Sequence, residues 1–531
     1  MSTAAAELDG QGAIDPKRDR LVIVASALGT VFEWYDFFLY GILAALLGKL
    51  FFPADNPTAA TLASLAAFGA GFGVRPLGAL LFGWFGDRIG RKYTFLVTIT
   101  LMGGATAAIG FLPTFATAGL WAPALLVLLR LLQGLALGGE YGGAAIYVAE
   151  HAPPDKRGQY TSWIQVSVVG GFLLCLLMVL ATRRALTPED FETWGWRIPF
   201  VASLLMLAIS LYIRLKLKES PVFQAMKESG EVSRNPFRDS LTFPGNVKRV
   251  LVALFGVAAG LTVIFYTSQF GTLYFLQGTA RVGEEEALLY MAAGALLAAP
   301  LYVAFGALSD RIGRKQLLLA GYALTLVLLF PLFRMMADGA NPALERARAT
   351  SPVTLELPAD CDFDVFRPRQ DQPCAQALNY LSKRGVSYRK ADAEQVVLTV
   401  GQQRVAGFDQ AAYTAALETA GYPDKADPAQ KRPWKIILAV AIMVALSAMT
   451  FGQVAAILVE LFPARIRYTS MSLPYHIGTG YFGGFLPFIS QLIVVRTGDA
   501  YAGLWYTIGV VAMALVVSAI WLPETYRKPL D

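Results

Sequence analysis

Apolar residues in this chain come in blocks about twenty residues long, and that spacing constrains the fold more than any other feature. A helix rises about 1.5 Å per residue, so about 20 apolar residues cross the roughly 30 Å hydrocarbon core of a bilayer. Twelve such segments can be placed, at about 21–49, 60–84, 94–114, 121–147, 160–182, 197–216, 249–277, 287–308, 316–337, 434–460, 469–494 and 502–522. Only 16% of the 531 residues are charged and 55% are hydrophobic. A soluble chain this long needs nearer a quarter charged to coat its domains. The blocks are rich in Gly and Ala, which let helices approach closely in lipid. The expected fold class is all-α and integral to the membrane, with twelve transmembrane helices.

Basic residues in the short loops set the orientation, because Lys and Arg accumulate on the cytoplasmic side. They occur in the tail (Lys17, Arg18, Arg20), in the second-to-third loop (Arg88, Arg91, Lys92) and in the fourth-to-fifth (Lys156, Arg157). They recur at Arg311, Arg314 and Lys315, at Arg465 and Arg467, and at Arg527 and Lys528. With twelve helices all fall on one side, so both termini are expected in the cytoplasm. Arg183 and Arg184 are the exception. The net charge of +6 follows from these loops and does not call for nucleic acid. The polar start, MSTAAAELDGQGAIDPKRDR, lacks the apolar core of a secretory signal and reads as a cytoplasmic tail.

The chain repeats itself. GWFGDRIGRK (83–92) returns as GALSDRIGRK (306–315), an offset of 223 residues. EHAPPDKRGQYTS (150–162) returns loosely as ELFPARIRYTS (460–470), an offset of 310. About 87 residues were therefore inserted between the two landmarks of the second copy. Two pseudo-symmetric six-helix halves are expected, the parallel-repeat layout of many transporters. The expected parts are a tail (1–20), an N-terminal bundle (21–216), a linker (217–248), a C-terminal bundle in two pieces (249–337 and 434–523), an insertion (338–433) and a tail (524–531). The insertion faces the periplasm in this topology and reads as a small α/β module. VTLEL and VVLTV have the β-branched pattern of strands, and FDQAAYTAALETAGY reads as a helix ending at Gly421. Cys361 and Cys374 both lie there, and the third cysteine, Cys175, is inside an apolar segment. A Cys361–Cys374 disulfide is expected, worth roughly 3 kcal/mol to the module, two free thiols being the alternative.

The duplicated D-R-I-G-R-K loops are a specific signal. Gly90 and Gly313 permit a tight turn, Asp87 and Asp310 can cap a helix or pair with arginine, and Arg91 and Arg314 supply a bidentate partner. In these loops the chain resembles the major facilitator superfamily, over all twelve helices and excluding the insertion. FEWYDFFLYG, GVRPLGALLFGWFGDRIGRK, GGEYGGAAIYVAEHAPPDKRG, WGWRIPF, KLKESPVF and SLPYHIGTGYFGGFLP together resemble its metabolite:proton symporter family. That family contains carriers for 2-oxoglutarate, citrate, shikimate and proline or betaine. QVSVVGGFLL lacks the proline of the G-P-x-x-G-G element found in drug exporters of the superfamily. The resemblance implies that Asp87, Arg88, Arg91, Glu150, Arg157, Asp310, Arg311, Arg314, Glu460 and Arg467 latch the halves on the cytoplasmic side and part when the transporter turns inward. The plainer reading is a topogenic turn that carries the positive-inside charge.

Ionisable residues at membrane depth point to function, because each costs several kcal/mol unless paired. Glu33 and Asp36 lie roughly 18 to 22 Å into the first helix, and Arg130 about 14 Å into the fourth. Tyr40 is expected on the face of the two carboxylates. Arg130, Gln133 and Gly134 match the R-x-x-Q-G element of the superfamily, whose arginine the resemblance associates with proton movement. Proton coupling is expected from Glu33, Asp36, Arg130 and His476. Substrate contacts are expected from Tyr40, Arg75, Gln133, Glu140, Tyr266 and Gln269. The competing reading makes Glu33, Asp36, Arg75 and Arg130 fixed ion pairs joining helices one, two and four, with His476 and the tyrosines as packing.

The favoured function is a proton-coupled symporter importing a small organic acid across the inner membrane by alternating access. The alternatives are a proline- or betaine-type zwitterion symporter and a non-transporting membrane sensor. The sequence holds no nucleophile–base constellation, phosphate loop or metal-ligand spacing, so we expect no enzyme, no cofactor and no metal. The expected partners are the solute, protons and lipid, and the expected working unit is a monomer.

Overall fold

A computed structural model describes residues 16–53, 56–89, 91–139, 141–215, 236–367, 370–463 and 466–526, with 528 and 530. Among them nine helices are long and apolar enough to cross a membrane, and eleven spans result when each of two bent pairs counts as one. In chain order these are α1 (Gly29–Ile42 and Ala44–Phe51, bent by 60°) and α2 (Pro57–Phe82), then the shorter apolar α3 (Leu96–Gly110). Next come α4 (Trp121–Gly138), α5 (Arg157–Ala185), α6 (Pro188–Gly195 and Arg197–Tyr212, bent by 55°), α7 (Asn246–Thr279), α8 (Glu284–Ile312) and α9 (Arg314–Ala340). The third expected segment is a helix over Arg91–Gly110, of which 96–110 is the shorter apolar helix α3. Arg197 donates to the carbonyls of Gly110 (2.9 Å) and Leu112 (2.6 Å). It thereby satisfies the end of α3, where helical carbonyls lack partners and a cation suits the dipole.

The chain then leaves the bundle. The module comprises α10 (Pro342–Thr350), β1 (Val353–Leu357), α11 (Pro373–Lys383), β2 (Arg389–Asp392), β3 (Val397–Val400), β4 (Gln403–Ala406) and α12 (Gln410–Thr419). The sheet order is β2-β1-β3-β4, with β1 and β2 parallel and the other pairs antiparallel. Val353, Leu355 and Leu357 alternate into a separate core with Leu398, Val400, Leu378, Leu381, Tyr413 and Leu417. The strands β2 and β4 were not legible because RKAD and QRVA are exposed and carry no apolar alternation. Cys361 and Cys374 are joined by a disulfide, and Gly421 takes a left-handed φ just past α12. The chain re-enters the bundle as α13 (Pro433–Leu461), α14 (Arg467–Thr497) and α15 (Leu504–Trp521).

The helices of the bundle share one continuous apolar core. The end bearing the D-R-I-G-R-K loops is here called the basic end, and the opposite end the insertion end.

Candidate functional site

The centre of the bundle is built on a close approach of α2 and α4. A Cβ on Gly134 would run into the carbonyl of Gly71, and one on Gly138 into that of Arg75. The glycine of R-x-x-Q-G is therefore a contact residue that lets α4 press onto α2. Arg130, on the same helix, turns its guanidinium into the core. It donates to Gln133 Oε1 at 2.7 Å and to the Phe68 carbonyl at 3.5 Å, and Gln133 donates to Thr106 Oγ1 at 2.7 Å. The ring of Tyr40 lies 4.5 Å from the Arg130 guanidinium carbon. Gln133 is thus a support for Arg130, its amide already bonded at both ends.

Arg75 of α2 is fully buried and stands over Phe72 at 3.9 Å and Phe37 at 4.6 Å. Phe37 also faces Arg130, at 5.3 Å. Among the described residues no carboxylate pairs with either arginine, and Arg75 Nε and Nη2 and Arg130 Nε have no hydrogen-bond partner. Cation–π contact offers about 2 kcal/mol when desolvated, against an effective penalty of several kcal/mol for each buried ion. The aromatic faces alone do not compensate the two charges. The ion pairs weighed from sequence do not form here.

The C-terminal helices bring further unbonded polar groups to the same region. Tyr266 of α7 lies in the electrostatic neighbourhood of both arginines, and His476 of α14 in that of Arg75. The Tyr266 hydroxyl lies beside the Arg75 guanidinium, and both amide atoms of Gln269 and both ring nitrogens of His476 are buried without a protein partner, as are the hydroxyls of Thr262 and Thr479. Gln269 lies within a π-helical turn (Thr267–Gly271), and the one following His476 is Gly478–Gly484. Such turns leave backbone groups re-aimed and recur at functional sites. Tyr274 donates to the Gly41 carbonyl at 2.6 Å, tying α7 to α1.

The acidic residues of α1 lie elsewhere. A Cβ at Gly103 of α3 would stand 3.4 Å from Asp36 Oδ2, and Ser203 of α6 is beside the same carboxylate. Asp36 Oδ1 is buried with no partner. Glu33 is buried and neighbours Asp36. Tyr40, expected to share their face, instead hydrogen-bonds Ser64 (3.2 Å to its carbonyl and to its hydroxyl) beneath Arg130. The reason is angular. Residues 36 and 40 differ by about 40° around a helix of 3.6 residues per turn, enough here to point Asp36 at α3 and α6 and Tyr40 at α2 and α4.

At the basic end, buried ion pairs join the two parts of the chain. Glu460 accepts from Arg157 at 3.1 Å and from Arg314 at 3.0 and 3.3 Å. Arg467 donates to Glu150 at 3.1 Å. Asp310 pairs with Arg314 at 2.6 Å and accepts the Gly158 and Gln159 N–H groups at 2.8 Å. It therefore caps α5 from across the bundle as well as pairing with arginine. Arg311 is exposed. The side chains of Asp87, Arg88 and Arg91, and Glu140 entirely, lie outside the described residues. Two participants had no sequence signal. Glu524 accepts the backbone N–H groups of Arg314 (2.9 Å) and Lys315 (3.1 Å), and Thr525 donates to Glu460 at 2.8 Å. At the insertion end Arg183 pairs with Glu284, and Arg184 with Glu285 at 2.5 Å. The two arginines that broke the charge rule face acids at the start of α8. Among the described residues no group of three metal-binding side chains occurs.

Residues 21–250 match the family model described as sugar (and other) transporter. The chain is 38% identical over 354 residues to the inner membrane metabolite transport protein YhjE of Escherichia coli, covering 65% of this chain and 79% of that protein. It is 38% identical to the shikimate transporter of the same organism (62% and 76% covered) and 37% identical to a proline/betaine transporter of Salmonella typhimurium (60% and 65% covered). Its fold matches the proton:xylose symporter XylE with a TM-score of 0.62, at 16% identity, over 97% of this chain and 98% of that one. Fold and site together define a multi-pass membrane transporter of the major facilitator fold. Within that class, the chain belongs to the metabolite:proton symporter family.

Proposed function

We propose that this protein is a proton-coupled symporter that imports a small organic acid across the bacterial inner membrane by alternating access. The bent pairs, the nine straight spans and α3 make twelve crossings in two pseudo-symmetric halves, α1–α6 and α7–α9 with α13–α15. The basic end and both termini face the cytoplasm and the inserted module faces the periplasm. The working unit is the monomer.

One observation carries the substrate class. Arg75 and Arg130 are buried side by side with no carboxylate among the described residues against them, next to Tyr266 from the other half. A guanidinium fork matches a carboxylate geometrically, and two of them favour an acid over a net-neutral zwitterion. The faces of Phe72 and Tyr40 are already covered by the arginines. Asp36 carries the proton. It is held apart from the arginines and contacts α3 and α6, so that rearrangement around α1 changes its environment. Glu33 assists it. His476 and Gln269 orient the substrate, with their side-chain polar atoms free of protein partners.

Uptake into proteoliposomes with labelled organic acids, proline and betaine, with and without an inward proton gradient, tests this reading. Gradient-driven accumulation of an acid is expected. Asp36→Asn is expected to abolish accumulation while leaving exchange of bound substrate. Arg75→Lys is expected to raise KM about tenfold, the loss of about 1.4 kcal/mol in the bidentate contact. Accumulation of betaine or proline in preference to every acid overturns the substrate class. Normal accumulation by Asp36→Asn overturns the proton assignment.

A further inference from the structure

The inserted module is attached very unequally to the two parts of the bundle. Toward the C-terminal helices its anchors are many. The Tyr388 N–H donates to the Gly498 carbonyl at 2.9 Å and Lys390 Nζ to the Arg496 carbonyl at 2.7 Å. Arg281, just past α7, donates to the carbonyls of Arg384 (2.8 Å) and Pro423. Lys431 pairs with Glu286 at the start of α8. Toward the N-terminal helices, among the described residues, there are two side-chain hydrogen bonds and one apolar patch. Asn56 Nδ2 donates to Asn379 Oδ1 at 2.6 Å, and Thr58 to the Ser382 carbonyl at 3.4 Å. Ala59 and Leu62 of α2 pack with Phe363 and Val365 of the module and with Val495 of α14.

The N-terminal attachment is nevertheless a formed contact. Asn56 caps α2, its Oδ1 accepting the Thr58 N–H at 2.9 Å, which leaves its amide nitrogen aimed at Asn379. Asn56, Ala59 and Leu62 are all buried. The two docking elements of the module, the 361–366 loop and α11, are stapled together by Cys361–Cys374, since Cys374 sits in the first turn of α11. Loop and helix therefore move as one edge. The patch lies where α2 meets α14, one helix from each part of the bundle.

We propose that the module is a lid over the insertion end. It rides on the C-terminal helices and closes the periplasmic side by docking its disulfide-stapled edge on the start of α2. Opening toward the periplasm breaks the Asn56–Asn379 bond and parts the α2–module patch, while the anchors on Gly498, Arg496 and Arg281 persist. The lid rests on the alternating-access reading, because it requires the two parts of the bundle to separate at that end.

Distance measurements between nitroxide labels on the full chain in nanodiscs test it, and they do not depend on knowing the solute. Labels at Pro57→Cys and Lys383→Cys span the docking edge; labels at Arg389→Cys and Thr497→Cys span the anchored side. Cys175 is buried and the other native cysteines are bridged, so label reaches the introduced thiols. The first pair is expected to show two distances and the second pair one. Asn379→Ala is expected to raise the long-distance fraction of the first pair about fivefold, as loss of one hydrogen bond predicts, leaving the second pair unchanged. A single short distance at the first pair, in protein that transports, overturns the lid and makes the module a fixed cover. Two distances at the second pair overturn it as well. Two distances at the first pair and one at the second, in protein that moves no solute, uphold the lid and overturn the transport reading instead.

Discussion

The two ends of the bundle are both held by ion pairs, and they are held in different ways. At the basic end the side chains of Glu460, Arg157 and Arg314 are 0%, 4% and 2% exposed. At the insertion end Arg184 and Glu285 are 58% and 46% exposed. A buried pair loses its solvation on closing, and breaking it by removing one partner strands a charge. An exposed pair gains little and is screened by salt. The basic end is therefore held by a network of buried ion pairs that share Glu460. The insertion end is a weak electrostatic contact, and a covering module is the heavier component there.

The contrast can be broken most severely at Glu460, which receives Arg157, Arg314 and Thr525. Glu460→Gln leaves the buried Arg157 without a carboxylate and Arg314 with Asp310 alone. The closed basic end is expected to lose about 3–5 kcal/mol, enough to reverse its population, as read by label distances across that end and by loss of accumulative uptake. Asp310→Asn comes next. It weakens two charge-assisted bonds to the start of α5 and the pair with Arg314, an expected loss of about 1.5–3 kcal/mol by the same distances. The double variant is expected to fall short of the sum, because both changes act on Arg314. Glu284→Ala with Glu285→Ala, at the other end, is expected to shift the closed population by at most about 1 kcal/mol per pair, and the shift is expected to vanish in 1 M salt. Lys49→Ala is expected to change nothing measurable, since its partner Glu192 stands at 3.8 Å with both side chains more than half exposed. A large effect at Glu284 and Glu285, persisting in salt, would erase the distinction between the ends.

Much of this was legible from residue spacing. The segment lengths located the helices. The repeated D-R-I-G-R-K and E-x-x-x-x-x-x-R patterns marked the charged loops, and only the family resemblance implied a latch there. Glu524 and Thr525 were not legible. Nothing in their local sequence distinguishes a terminal acid in solvent from one folded back onto the start of α9. Arg183 and Arg184 read as an exception to the charge rule because their partners lie about a hundred residues away, on α8. In the module, β1 and β3 carried apolar alternation, whereas β2 and β4 are mostly exposed and left no alternating apolar pattern.

By itself the sequence determined that the chain lives in a membrane, that it is duplicated, that a module interrupts the second copy, and that charges lie at membrane depth. Those are consequences of composition and periodicity, which act locally along the chain. Only the tertiary structure decided how the deep charges are partnered. Adjacent residues of α1 face different neighbours, so Asp36 turns to α3 and α6 while Phe37 lies between Arg75 and Arg130. Which of two nearby charges meets the other depends on the angle at which helices cross and on where glycines let them touch. Those angles belong to the packed bundle and to no single segment.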